Sequence, residues 1–344
     1  MRTLLVTGGA GFIGGNFVLR SLAQDDNLRI INLDALTYAG NMDTLSSLQD
    51  NARHVFVHGD IGDAATVSDI FEEYAPDGVV NFAAESHVDR SIDGPGAFVQ
   101  TNIVGTLNML QCALDWWKTQ GEDTQAAFRF LHVSTDEVYG SLGETGLFHE
   151  TTQYAPNSPY AASKAGSDHL VRAFHHTYGM PVLTTNCSNN YGPCQFPEKL
   201  IPLIIQNALD LRPLPVYGDG QQVRDWLFVL DHVDAINTVL NAGRPGQVYN
   251  VGSQVGRPNL EVVRLIIKLV AARKELSEDE LLSLVRHVAD RPGHDRRYAI
   301  DSTRLRGLGL EPSLSFEEGL AQTVDWYIEN PDWCQNVTSG TYQD

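Results

Sequence analysis

Several residue patterns are missing from this chain, and each absence removes a class of function. There is no excess of lysine and arginine: the 344 residues carry 24 basic against 43 acidic side chains, a formal charge of −19. An extended nucleic-acid footprint needs a field of cations and is excluded, whereas a small anionic ligand needs only a few basic groups in one pocket. The four cysteines, Cys112, Cys187, Cys194 and Cys334, form no C-x-x-C pair and no dense framework of the secreted kind. No apolar run approaches the roughly 20 residues that a membrane span requires. Met1 leads almost directly into the strand-like Thr3-Leu4-Leu5-Val6, which leaves no room for a charged leader and an apolar signal core. A cytoplasmic location is therefore expected, with no membrane or nucleic-acid partner and no metal. Internal repeats and low-complexity tracts are absent as well.

What remains is the make-up of a folded enzyme, with 42% hydrophobic and 19% charged residues. Through the first half, short runs rich in β-branched residues alternate with helical patterns, the signature of parallel strands joined by crossovers. Strands are expected from Thr3 to Thr7, Arg29 to Asp34, His54 to His58, Gly78 to Phe82, Phe128 to Ser134 and Val182 to Thr185. Long helices are expected from about Ala97 to Trp117 and from about Ser158 to Tyr178. Runs that are apolar throughout, such as Phe130-Leu131-His132-Val133, fit a sheet covered on both faces. From Asn186 onward Pro193, Pro197, Pro202, Pro213 and Pro215 break the pattern, and a smaller lobe begins. Asp225 to Val251 reads as a further strand, helix and strand returning toward the large sheet. Two amphipathic helices, about Leu260 to Ala272 and about Phe316 to Glu329, flank the Pro- and Arg-rich loop Asp290 to Arg297.

After the first expected strand comes Gly8-Gly9-Ala10-Gly11-Phe12-Ile13-Gly14, which satisfies G-x-G-x-x-G from Gly9 and places glycines at 8, 11 and 14. Small residues permit a tight turn and close backbone approach to a pyrophosphate, while the next helix offers unpaired N–H groups and a positive dipole end. The context agrees, because a strand precedes the glycines, a helical pattern follows, and Asp34 closes the second strand about 20 residues later. A carboxylate there accepts hydrogen bonds from ribose hydroxyls and repels a 2′-phosphate, which selects NAD over NADP. Asp60, at the end of the third strand, is placed to meet the adenine. The fold class is thus α/β, a Rossmann-type doubly wound parallel sheet with a smaller C-terminal substrate-binding lobe. The expected division is 1–186 with about 221–252 for the NAD-binding unit, and 187–220 with 253–344 for the substrate-binding unit.

Tyr160-Ala161-Ala162-Ser163-Lys164 has the Y-x-x-x-K spacing, which on a helix stacks both side chains on one face. A phenol near pKa 10 is a poor base at neutral pH, but a lysine ammonium and a cationic nicotinamide ring both favour phenolate. Tyr160 can then take a hydroxyl proton as hydride leaves the same carbon. Thr135, Asp136 and Glu137 lie just past the carboxyl end of a strand, where open α/β sheets place their chemistry. Thr135 can hold the reacting hydroxyl. Two adjacent carboxyls in a closed pocket do not both ionise readily, so one can stay protonated as an acid while the other serves as a base. Simple oxidation needs neither, so the pair points to oxidation used to enable an elimination.

These residues carry a resemblance to the dTDP-glucose 4,6-dehydratases of the extended short-chain dehydrogenase/reductase superfamily. It runs nearly end to end, through Gly8 to Gly14, Asn81 to Ser91, Ser134 to Gly140, Ser188 to Pro193, Pro197 to Pro202, Arg224-Asp225-Trp226 and Asp290 to Tyr298. The resemblance implies that Asp136 protonates the C6 hydroxyl and Glu137 removes the C5 proton, with Tyr160 and NAD oxidising C4 and hydride returning to C6. It further implies that Phe12, Ile13, Asp34, Ala35, Leu36, Thr37, Asp60, Ile61, Phe82, Ala83, Ala84, Ser86, Thr101 and Asn190 line the NAD, beside Tyr160 and Lys164. To the substrate it assigns Ser86, Thr135, Asn189, Lys199, Leu200, Pro215, Val216, Tyr217, Arg224, Asn259, Arg291 and His294. Lys199, Arg224 and Arg291 would supply the positive charge that a diphosphate needs. Gly15 departs from the serine commonly found after the third glycine. The helices near 97–117 and 158–178 correspond to those of a dimeric four-helix contact in relatives, so a homodimer is expected.

Sugar-nucleotide 4-epimerases and UDP-glucuronate decarboxylases share the glycines, tyrosine and lysine, but neither needs an Asp-Glu pair to expel a 6-hydroxyl. A UDP-glucose 4,6-dehydratase stays open, because thymine and uracil differ by one methyl, worth only about 1–3 kcal/mol of discrimination. A protein that senses NAD(H) without catalysis would be expected to lack Tyr160, Lys164 or the carboxyls, and all are present.

Overall fold

The computed structural model describes residues 1–290, 295–311 and 313–339. Its larger unit is a seven-stranded, wholly parallel sheet. The strands are β1 (Arg2–Thr7), β2 (Leu28–Asp34), β3 (His54–His58), β4 (Gly78–Asn81), β5 (Arg129–Thr135), β6 (Val182–Cys187) and, after β7 (Asn189–Tyr191), β8 (Leu214–Tyr217) and β9 (Val223–Phe228), β10 (Val248–Val251). Their spatial order is β10-β6-β5-β4-β1-β2-β3, which reverses direction between β1 and β4 and opens a crevice beyond the carboxyl ends of those strands.

Because side chains alternate along a strand, β1 feeds two cores. Leu4 and Val6 pack with Phe17 of the Phe12–Gln24 helix and Ile236 of the Val229–Ala242 helix. Leu5 faces the other way, against Phe71, Leu110 and Val171 from the helices Ala64–Tyr74, Thr106–Lys118 and Pro159–Tyr178. The last of these has clear local signals. Ser158 caps it by accepting from Ala161 N, proline occupies the first turn, and Gly179 ends it in the left-handed conformation at φ 72°.

The helix expected from about Ala97 to Trp117 is interrupted. Pro95–Phe98 is α-helical, Val99–Gly105 winds as a wider π-helical turn, and Thr106–Lys118 is α-helical again. Asn102 in the wide turn is buried, accepts from Glu85 N at 2.9 Å and donates to Glu85 O and Ser163 Oγ at 3.0 and 2.8 Å. The turn thus fastens the loop after β4 to the helix carrying Tyr160, a use typical of π-bulges near functional sites.

The smaller unit has its own core, built from Ile204, Ile266, Leu320 and their neighbours on the helices Leu200–Leu209, Asn259–Lys274 and Phe316–Glu329. A capping box between Ser315 and Glu318 starts the last of these. Two short sheets accompany it: β11 (Gly256–Pro258) pairs with β9, which also pairs with β7, and β12 (Val285–Val288) pairs with β8. Of the strand, helix and strand read from Asp225 to Val251, only β10 joins the large sheet. β9 does not, because its edges are taken by β7 and β11, so the chain returns to the large unit through the Val229–Ala242 helix.

Candidate active site

The glycine turn lies at the switch point. Gly8 has φ 70°, and a Cβ there would stand 2.7 Å from Ala83 N; a Cβ on Gly14 would stand 2.2 Å from Gly8 O. These glycines hold the turn, β4 and the first helix at backbone contact. No side chain caps that helix at Gly11, so its first N–H groups are left for a ligand. Asp34 ties the turn to the end of β2, its Oδ2 accepting from Ala10 N and its Oδ1 from Leu36 N, both at 2.8 Å. Burial pushes this carboxyl up while the two backbone donors pull it down, and each oxygen keeps a lone pair for a ribose hydroxyl. This backbone cradle with a carboxylate at its edge fits a dinucleotide. Asp60 is exposed at the lip and accepts from Gly62 N at 2.6 Å.

At the other end β5 finishes at Thr135, whose hydroxyl accepts from Glu137 N at 3.3 Å and caps the short 3-10 turn Asp136–Tyr139. That switch from strand to turn puts two successive carboxyls into the cleft. Asp136 is 2% exposed, Thr135 Oγ1 is 3.5 Å from its Oδ1, and its Oδ2 has no hydrogen-bond partner. Burial, then the charges of Glu137 and Asp225, push the Asp136 carboxyl well above the usual range, against a smaller opposing pull from Arg224. A buried oxygen without a partner beside a half-buried carboxylate is what a carboxyl that keeps its proton looks like.

Tyr160 is half-buried in the same cleft, with the Thr135 hydroxyl near enough to its phenol to favour the phenolate. The expectation that Lys164 favours its phenolate meets a different arrangement in the protein alone. Burial first, then Glu137, push the Tyr160 phenol well above its ordinary value, while the Lys164 ammonium lies deeper and donates to Val133 O at 2.9 Å.

The cleft brings together most of the expected groups. Its walls include Gly8, Gly11, Phe12, Ile13, Gly14, Asp34, Ala35, Thr37, Asp60, Ile61, Phe82, Ala83, Ala84, Ser86 and Thr101, with Thr135, Asp136, Glu137, Tyr160, Lys164, Asn189, Asn190 and Lys199 at the reacting end. Leu36, in the loop at φ 48°, is not part of these walls. Leu200, Pro215, Val216, Tyr217, Arg224 and Asn259 lie outside these walls, on the smaller unit. Arg224 is buried, donating to Asp295 O at 2.9 Å with its guanidinium 4.5 Å from the centre of the Tyr298 ring. Arg291 and His294 lie outside the described residues.

Comparison with known proteins shows the family. A family model described as GDP-mannose 4,6 dehydratase matches residues 5–323. A dTDP-glucose 4,6-dehydratase of Xanthomonas campestris pv. campestris (strain B100) is 63% identical, over 100% of this chain and 98% of that one. The chain belongs to the dTDP-glucose 4,6-dehydratase family. A double mutant of the Streptomyces venezuelae family member, solved with NAD and DAU bound, matches at TM-score 0.89 and 46% identity over 98% of this chain and 100% of that one. A UDP-glucose 4-epimerase of Thermus thermophilus, solved with NAD, shares the fold at TM-score 0.84 over 95% of this chain and 99% of that one, at only 28% identity. The epimerase alternative is therefore not favoured.

In this dehydratase-family cleft several groups escaped the sequence reading. Tyr38 packs under the Arg90 guanidinium at 3.7 Å, and Glu198 lies 3.5 Å from both Arg90 and His87, so three loops meet over the mouth. Trp333 and Val337 reach the wall from the helix Pro331–Ser339, with Trp333 Nε1 donating to Thr44 Oγ1 at 3.2 Å. Tyr298 and Asp225 stand behind the acids, close enough for Glu137 to act on the Tyr298 phenol and Asp225 on Asp136. Tyr298 and Asp225 fall within stretches that carried the resemblance, but Trp333 and Val337 had no local signal at all.

Proposed function

We propose that this chain removes water from dTDP-glucose across C5 and C6 to give dTDP-4-keto-6-deoxyglucose, with NAD kept as a tightly bound cofactor. The observation that carries the reading is Asp136, buried with a free oxygen beside Glu137 and in the same cleft as Thr135 and Tyr160. Backbone at Gly8, Gly11 and Gly14, the Asp34 carboxylate and the Phe82–Ala84 segment would hold the NAD. NAD held there would supply the hydride acceptor for C4 and the hydride donor for C6, and its cationic ring would add a positive charge that lowers the Tyr160 phenol.

Tyr160 takes the C4 hydroxyl proton while Thr135 holds that oxygen, and Lys164 supports the phenolate. The ketone acidifies C5–H, so Glu137 can remove that proton while Asp136 gives its own to the departing C6 hydroxyl, releasing water. Glu137 then returns the proton to C5. Tyr160 has gained one proton and Asp136 has lost one, and the Thr135 hydroxyl, hydrogen-bonded to Asp136 and near the phenol, offers the path that restores them.

The nucleotide is read as bound by Ser86 together with Asn189, Lys199 and the rest of the smaller unit; the proposed division is 1–186 with about 221–252 against 187–220 with 253–344, except that β9 (Val223–Phe228) pairs with β7 and β11 and so goes with the smaller unit. Exposed Ile92, Val99, Val104 and Leu107 form an apolar stripe beside the Tyr160 helix and support a homodimer through that face. Among the described residues no helix is long and apolar enough to cross a membrane. We place the enzyme in the cytoplasm, where nucleotide sugars and NAD are found.

Purified protein should convert dTDP-glucose to a product with the alkali-induced absorbance of a 4-keto sugar, and UDP-glucose less well. No product from dTDP-glucose overturns the assignment. Sedimentation at micromolar concentration should give twice the chain mass, and a monomer would remove the dimer.

A further inference from the structure

Tyr160, Lys164 and Asp168 follow one another at four-residue intervals along the Pro159–Tyr178 helix and so share one face. Tyr160 and Lys164 reach the cleft, whereas Asp168 is buried behind it at 5% exposure. Its Oδ2 accepts from the Ser134 hydroxyl at 3.0 Å and the Tyr154 phenol at 2.9 Å. Its Oδ1 makes no hydrogen bond and lies 3.4 Å from His132 Nε2. The same Nε2 is 3.4 Å from Lys164 Nζ, so carboxylate and ammonium both approach one nitrogen of the imidazole without closing to ion-pair distance on each other.

The network shows that His132 is not the cation Asp168 requires. Thr7 Oγ1 donates to Asn81 Oδ1 at 2.6 Å, which orients the amide so that Asn81 Nδ2 donates to His132 Nδ1 at 3.1 Å. An accepting Nδ1 leaves the proton of the neutral ring on Nε2, where Ser167 Oγ stands at 3.2 Å. Ser167 gives its own proton to Lys164 O at 2.8 Å and is free to accept that one. Burial, then the neighbouring Lys164 charge, hold the ring neutral, its pKa lowered to about 4. A buried carboxylate surrounded by neutral donors is costly without a cation, and the cation it faces is Lys164. Reciprocally, burial weakens the hold of Lys164 on its proton and Asp168 opposes that loss.

We propose that Asp168 is the counter-charge that keeps Lys164 cationic, and is therefore a positioning residue for the Tyr160–Lys164 pair. This rests on the reading of that pair given under Proposed function. The titratable groups facing Lys164 are His132 from β5, Cys187 from β6, and Tyr160 and Asp168 from its own helix. Burial keeps Cys187 a thiol, with its pKa raised to about 12, which leaves Asp168 as the carboxyl group among these neighbours.

The test uses the full-length protein with isotopically labelled lysine, in which one of five side-chain amino signals belongs to Lys164 and is assigned by its loss in Lys164→Met. In Asp168→Asn the Lys164 signal should titrate about one pH unit or more below the wild-type value. The alkaline limb of kcat should move down with it, with KM for dTDP-glucose little changed. An unshifted Lys164 titration in folded Asp168→Asn overturns the proposal. If Asp168→Asn does not fold, the double variant Lys164→Met/Asp168→Asn should regain much of the lost thermal stability, because both halves of the pair are gone; additive losses overturn the proposal. Should the wild type make no product, the functional reading fails, while the lysine titration still decides the counter-charge.

Discussion

At the end of the cleft bounded by Gly8, Gly11 and Gly14 the working groups are backbone, whereas at the end bounded by Asp136, Tyr160 and Lys164 they are buried or half-buried side chains whose proton affinities are shifted. The first end works by close approach, and what matters there is the absence of a Cβ. The second works by exclusion of water, which moves proton affinities by amounts that the same residues would not show on a surface. One cleft thus joins a shape-dependent, pH-tolerant grip to a pH-sensitive reacting centre, and substitutions at the two ends should fail in different ways.

The largest effect is expected at the reacting end. Tyr160→Phe should lower kcat by roughly 10³-fold or more, since it removes the base for the C4 hydroxyl, while NAD content after gel filtration stays near that of the wild type. Near-normal turnover would take Tyr160 out of the mechanism.

Asp136→Asn should lower kcat by about 10²-fold or more, with C4 oxidation preserved, so reduced nicotinamide should build up in a single turnover. The same variant tests the electrostatics. A carboxyl whose proton affinity is raised by folding contributes stability below its unfolded pKa of about 4 and loses that contribution as pH rises through the raised folded value. Melting temperatures of the wild type should therefore fall relative to Asp136→Asn as pH climbs over that window. Parallel curves would show that the acid is not held protonated by the fold.

At the cradle, Gly14→Ala should act on retention rather than on proton transfer. Its Cβ would meet Gly8 O at 2.2 Å, so the turn must shift, at about 1–3 kcal/mol of stability, with NAD lost on gel filtration. If added NAD restores kcat with an unaltered pH profile, the division between the two ends is sharpened; an altered profile blurs it. The smallest effect belongs to the distant capping box, where Ser315→Ala should cost about 1 kcal/mol in thermal or urea melts and leave kcat unchanged.

Legibility from the amino-acid order followed the range of the interactions. The first six strands appeared within a residue or two of their expected places because each is a short run with its own composition, and the Pro159–Tyr178 helix announced both of its ends. The interruption at Val99–Gly105 was hidden, since its reason is the bond set between Asn102, Glu85 and Ser163, across the fold. The placement of β9 was hidden likewise, because an apolar run does not name its neighbours. In the site, Asp136, Glu137, Tyr160 and Lys164 stood out by spacing, whereas Asp168, His132, Tyr298 and Trp333 are ordinary residues locally and acquire their roles by what packs against them.

The order of residues alone settled which chemistry was on offer: a phenol and an amine one helical turn apart, two successive carboxyls at a strand end, and a run of glycines thin enough for a pyrophosphate. Tertiary structure alone decided which of those groups carry protons. Asp136 is pushed toward its protonated form, His132 is held neutral and Asp168 is proposed as the partner of Lys164 only after water has been excluded around them, because the proton affinity of a side chain depends on the solvent and charges about it and not on its neighbours in sequence.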